Sequence, residues 1–299
     1  MDRPMPDEGC AARELLQGFS LEMTAKDVEG IRDAAPLIPQ GTRVNITFLG
    51  TEEPAMRVDA AAAVRELGLV PVPHIAARRL PSADALDAYL RGLSAAHAVG
   101  HLCLIGGDPS TPEGPFDSAL SVIRSGALAR HGVREVAIAG YPEGHPDIPE
   151  ATLWEHLDLK LSALREQGMD AVITTQFSFD ADAVARWVVA VRERGITVPI
   201  RIGVPGPAGV KRLLGFARRF GIGANALIVR KYGFSLTSLM GKAGPDRFIR
   251  DLAHALDQQL KDPRVGLHFY TFGGLVATAE WIHHFTEASG DSLDAAANT

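Results

Sequence analysis

Cysteine is almost absent from these 299 residues: Cys10 and Cys103 are the two, and no CxxC pair occurs. That excludes a disulfide-stapled scaffold and a zinc ribbon. Aromatic residues are few, at 6%. No apolar run approaches the roughly 20 residues that cross a bilayer. An excess of one charge is missing too, because 30 basic against 36 acidic side chains leave a net charge of −6. No global basic footprint for nucleic acid exists. The first ten residues carry acids and two prolines ahead of any apolar stretch, unlike a secretory or transit segment. From these absences we expect a soluble, cytoplasmic protein with no membrane or nucleic-acid partner.

What is present is a hydrophobic fraction of 46%, enough for a sizeable core. The 30 glycines and 19 prolines make about a sixth of the chain, too few for low complexity. They punctuate a repeating pattern of a short apolar run, a polar or Gly/Pro break, and a longer helix-period segment. Strands are expected at residues 19–23, 44–48, 70–74, 101–105, 135–139, 171–175, 199–202 and 265–270. Helices are expected from Thr24, over 53–67, from Ser82, and over 116–130, 150–167, 182–194, 208–220, 246–260 and 275–285. Residues 221–244, with Leu227-Ile228-Val229 and Lys231-Tyr232, are less regular.

Strands that alternate with helices belong in a parallel sheet, and eight is the number that closes a (β/α)8 TIM barrel. An open doubly wound sheet is the alternative, weakened by the absence of GxGxxG after the first strand. No linker divides the chain. The expected organisation is an N-terminal extension over 1–18, a catalytic barrel over 19–288 and a flexible tail over 289–299.

A parallel barrel carries its site at the C-terminal ends of the strands. Glu22, Thr47, His74, Asp108, Tyr141 with His145, Gln176 and Tyr270 stand at seven such ends. Gly106-Gly107-Asp108 gives a turn that a ligand can approach closely, with an anionic acceptor. In Gly140-Tyr141-Pro142-Glu143-Gly144-His145-Pro146, two prolines hold a Tyr/His pair rigid. Gln176 has the donor and acceptor that suit an amide-edged heterocycle, and Phe177 or Phe179 is placed to stack on its ring or to join the core.

Taken in order, these motifs resemble the methylenetetrahydrofolate reductase family. Ser20-Leu21-Glu22, Thr47, Pro73-His74, Gly107-Asp108, the Tyr141–Pro146 loop, Thr175-Gln176-Phe177 and His268-Phe269-Tyr270-Thr271 carry the resemblance over roughly residues 19–285. It implies a barrel that holds FAD, takes hydride from NAD(P)H and reduces 5,10-methylenetetrahydrofolate to 5-methyltetrahydrofolate. It also implies a homo-oligomer. Glu22 and Asp108 would be catalytic, with Glu22 as the general acid that helps open the imidazolidine ring. Thr47, Phe48, Gly50, His74, Gly107, Asp108, Tyr141, His145 and Lys160 would bind the flavin, and Glu22, Asp108, Gln176, Phe179 and Tyr270 the substrate.

This chain departs from the family at several positions. Met23-Thr24-Ala25 replaces an aromatic and proline continuation, Gly106 stands where Arg is frequent, and Gly274 stands where an Arg clamps the folate tail. Arg230 or Lys231 is the substitute for that clamp. The family's phosphate-binding Lys lies four residues before a Gly, where this chain has Leu164. Lys160, one helical turn earlier on the same face, is preferred to Arg165 with Asp158. Two further readings compete: a metal-dependent barrel hydrolase or lyase using His74, Asp108, His145 and His268, and a non-catalytic folate- or flavin-binding protein. No metal is expected on the leading reading.

Overall fold

The computed structural model describes residues 8–50, 52–219, 244–260 and 262–296. Eight strands close a parallel barrel in the order β1 to β8. They are β1 (Ser20–Met23), β2 (Arg43–Ile46), β3 (Val70–Ala76), β4 (His101–Ile105), β5 (Glu135–Gly140), β6 (Asp170–Phe177), β7 (Ile200–Pro205) and β8 (Val265–Tyr270). The helices are α1 (Glu8–Leu16), α2 (Val28–Ala34), α3 (Pro54–Glu66), α4 (Ala83–Ala95), α5 (Ala119–Arg124), α6 (Ala127–Arg130), α7 (Glu150–Glu166), α8 (Ala181–Glu193), α9 (Val210–Arg219), α10 (Asp246–Gln259) and α11 (Leu275–Ala296). The expected TIM barrel is the observed fold.

Local chemistry explains several element ends. Ser82 caps α4 by accepting from the Ala85 amide at 3.1 Å, which satisfies one of the helix's orphan donors. Thr24 does not open a helix. Its amide and its hydroxyl both donate to Asp27 Oδ2 at 2.8 Å, and the turn they form delays α2 to Val28. The single helix expected over 116–130 is two, because Gly126 takes a left-handed conformation between α5 and α6. The last helix continues past Phe285 to Ala296. Three strands run further than their apolar runs: β3 to Ala76, β6 to Phe177 and β7 to Pro205.

The chain divides into two compact units, Ser20–Thr175, and Met1–Phe19 with Gln176–Thr299. In the first unit, Val72, Cys103, Ala137 and Val172 form one buried cluster, with Ile105 packed on it. Side chains alternate along a strand, so His74 and Ala76 share the face of Val72. Ser20 and Glu22 likewise share one face of β1. At the strand starts, Arg43 forks onto Glu135 (Nε to Oε1 3.1 Å, Nη2 to Oε2 2.8 Å). In the second unit α1 packs on α10, α11 and β8. The buried pair Arg192–Asp262, at 2.6 Å, ties α8 to the segment that enters β8.

Candidate active site

In the unit Ser20–Thr175 the expected residues fall into small groups. His74 and Asn45 are both buried, and His74 Nε2 lies 3.3 Å from Asn45 Oδ1. Thr47 sits just past β2, where its amide donates to the Met23 carbonyl at 2.8 Å. Phe48 is beyond the strand as well. The guanidinium of the buried Arg57 lies 4.5 Å from its ring centre and 5.2 Å from that of Tyr89, close enough for cation–π attraction to both. Glu52, next to this group, is buried, and burial raises its pKa despite Lys26 and Arg57 nearby.

Tyr141 and His145 meet edge to face, 5.3 Å between ring centres. His145 Nδ1 accepts from the Asp147 amide at 3.1 Å, which fixes the direction of that ring. Burial also raises the pKa of the Tyr141 hydroxyl.

Glu22, Cys103 and Lys160 form an electrostatic group. Cys103 is buried, and that burial, with the Glu22 carboxylate adding to it, pushes the thiol's pKa up against the pull of the Lys160 ammonium. Lys160 shares the inward face of α7 with the buried Leu157 and Leu164. Burial lowers its pKa to about 8, the nearby Cys103 acting in the opposite direction. Among the described residues no hydrogen bond or ion pair engages this ammonium. Asp158 and Arg165 are exposed.

Gly107 adopts φ +96°, a conformation that side-chain-bearing residues rarely take, and so turns the chain at the end of β4. Asp108 follows it, its side chain 76% exposed. A Cβ at Gly106 would meet nothing within 4 Å, so open space lies over that position. Arg79 is a residue that the sequence reading misses. Its Nε and Nη2 each donate to Asp108 at 2.8 Å, and its Nη1 to Glu113 Oε1 at 3.0 Å. It lies directly over Gly50, where an added Cβ would stand 3.3 Å from its guanidinium carbon. The signal for it is the pair Arg78-Arg79 close after the third apolar run. That signal is weak, because the polar His74 reads as the end of β3 and leaves both arginines in an ordinary loop.

In the other unit Gln176 belongs to β6, and its Oε1 accepts from the Phe177 amide at 3.1 Å. Phe179 is buried against Phe177, 5.9 Å between ring centres. Tyr270 packs on Phe177 at 5.4 Å and on His268 at 4.9 Å. Arg230 and Lys231, with the whole stretch from Leu227 to Tyr232, lie outside the described residues. Among the described residues no three His, Cys, Asp or Glu side chains are grouped to hold a metal ion. No described helix is long and apolar enough to cross a membrane.

A parallel eight-stranded barrel with polar groups at its strand ends defines a class: barrels that bind a ligand over the C-terminal rim. Comparison with known proteins narrows the class. The family model for methylenetetrahydrofolate reductase matches residues 28–280. The chain belongs to the methylenetetrahydrofolate reductase family. It is 32% identical over 174 residues to methylenetetrahydrofolate reductase 2 of Saccharomyces cerevisiae, across 53% of this chain and 26% of that protein. It is 32% identical over 115 residues to methylenetetrahydrofolate reductase (NADH) 1 of Arabidopsis thaliana, across 36% of this chain and 19% of that one. The match thus spans about a quarter or less of these relatives' length. Dihydropteroate synthase from Thermus thermophilus aligns over 89% of this chain and 93% of its own, at 13% identity and a TM-score of 0.45, too distant to bear on function.

Proposed function

We propose that this chain reduces 5,10-methylenetetrahydrofolate to 5-methyltetrahydrofolate with NAD(P)H, using bound FAD in a ping-pong cycle. The observation that carries the reading is the family match over residues 28–280. The residues present also fit the cofactor. FAD carries a pyrophosphate, and a half-buried lysine that makes no ion pair among the described residues is a donor that such a group would satisfy. Open space over Gly106 leaves room for a ring at the end of β4.

On this reading Lys160 holds the phosphates, and Thr47, Phe48, Gly50, His74, Gly107, Tyr141 and His145 contact the rest of the cofactor. Bound FAD would supply hydride exchange between the two substrates. Glu22 delivers a proton to the folate ring nitrogen as its bond to the bridging carbon opens. Asp108 orients the pterin and sets the charge beside it. Gln176, Phe179 and Tyr270 contact the substrate, and Gln176 does so through both arms of its amide. A cytoplasmic homo-oligomer that serves one-carbon metabolism and methionine biosynthesis belongs to the same proposal.

The purified chain mixed with FAD tests the reading. It should turn yellow, retain the flavin through gel filtration, and oxidise NADH or NADPH with menadione as acceptor. A colourless protein that takes up no FAD overturns it.

A further inference from the structure

Asp108 occupies a difficult place for a residue that must hold one position. Its side chain is 76% exposed and stands on a loop, just after a left-handed glycine. Packing does little to fix an exposed carboxylate, so whatever fixes it must do so through directed bonds. We propose that Arg79 is the positioning residue for Asp108, and that Gly50 is bare of a side chain because the guanidinium lies over it. The proposal rests on the reductase reading and deepens it.

The geometry separates the work of two consecutive arginines. Arg78 holds the backbone of the loop after β4. Its Nε donates to the Pro109 carbonyl at 2.7 Å and its Nη1 to the Asp117 carbonyl at 2.8 Å, and its Nη2 donates to the Ser110 carbonyl. Its own amide donates to the Gly106 carbonyl, and its carbonyl accepts from the Glu113 amide, both at 2.8 Å. Arg79 holds the side chain instead. Two parallel N–H bonds of 2.8 Å grip both oxygens of Asp108, and a third N–H is engaged by Glu113 at 3.0 Å.

A fork of this kind fixes the direction of a carboxylate as well as its distance. An ordinary surface pair, made by one long side chain in water, would fix neither. The Arg79 side chain is 27% exposed, far less than its partner, and its guanidinium lies over Gly50. Gly50 and Asp108 come from the ends of different strands, and Arg79, from a third, joins them. Lysine would keep the charge at this place and lose the fork.

The test uses the full chain at saturating FAD, reduced with NADH and then mixed with saturating 5,10-methylenetetrahydrofolate. The rate of flavin reoxidation is compared in the parent, Arg79→Gln, Arg79→Lys, Asp108→Asn and the Arg79→Gln/Asp108→Asn pair. Misplacing an acting group by about 1 Å can slow a step by about 10²-fold, and a loss of that order is expected for Arg79→Gln. Arg79→Lys should recover part of it, and the double variant should be no slower than Asp108→Asn alone. Glu113→Gln, which leaves the fork intact, should stay close to the parent.

An Arg79→Gln rate equal to the parent's, or losses that multiply in the double variant, overturns the proposal and leaves the reductase reading standing. If Arg79→Gln does not fold, Arg79→Lys decides, since a rate equal to the parent's there also overturns it. A parent chain that binds no FAD removes the reductase reading, and this proposal with it.

Discussion

A lysine ammonium on the apolar face of a helix is costly until an anion meets it, and Lys160 is in that position. Its pKa falls from the ordinary 10.5 to about 8 because burial disfavours the charged form. Between those values the unfolded chain binds more protons than the folded one, so stability should rise with pH across that window. Below about pH 8 the full penalty is present. Lys160→Met should therefore raise the Tm of the flavin-free protein at pH 7, and the difference from the parent should shrink towards pH 10. It should also weaken FAD binding. A Tm difference that stays constant from pH 7 to 10 would contradict this placement. Glu22→Gln separates the two half-reactions. Loss of a positioned general acid costs about 10²- to 10⁴-fold, so folate-dependent reoxidation should collapse while flavin reduction by NADH survives. Equal loss in both steps, read by stopped flow, would count against the assigned role. At this scale the sequence is uneven as a guide. The family resemblance, adjusted by one helical turn, leads to Lys160, whereas Arg79 and Arg57 act across gaps of 29 and 32 positions, to Asp108 and Tyr89, which no local pattern records.

At the scale of elements, strand beginnings are legible and several strand ends are not. His74 and Gln176 are polar residues that read as the close of an apolar run, yet β3 and β6 continue through them. The pattern of apolar residues reports which face is buried, and a polar side chain on the interior face of a barrel near its rim breaks that pattern without breaking the strand. The start of α2 differs from its expected place for another reason, since the side chain of Thr24 bonds to Asp27 rather than to a helix amide. The loop after β4 is the element most open to test. A Cβ at Gly114 would lie 2.3 Å from the Leu80 carbonyl oxygen and 2.5 Å from that of Pro81, backbone that cannot step aside cheaply. Gly114→Ala should destabilise the chain by about 1–3 kcal/mol, the usual range for overpacking. Because Arg78 and Arg79 grip the same loop, it should slow the folate step as well. Thermal unfolding and the reoxidation rate check both, and an unchanged Tm would show that the loop is free to shift.

At the scale of the whole molecule the alternation of strand and helix is the most legible feature. Crossover helices are a geometric requirement of parallel neighbours, so the pattern recurs along the sequence whatever the loops do. It leads to the closed eight-stranded barrel that is observed, and the order of the rim motifs leads to the family that matches residues 28–280. Neither result depends on how Asp108 or Lys160 is held, whereas the proposed reaction would draw on both. The proposed reduction of 5,10-methylenetetrahydrofolate is tested most directly under anaerobic conditions. The FAD-loaded chain is reduced with one equivalent of NADH and mixed with 5,10-methylenetetrahydrofolate, while the flavin spectrum and the folate product are followed together. The oxidised flavin spectrum should return, and 5-methyltetrahydrofolate should form in equal amount. A reduced flavin that persists in the presence of the folate, with no methyl product, would contradict it.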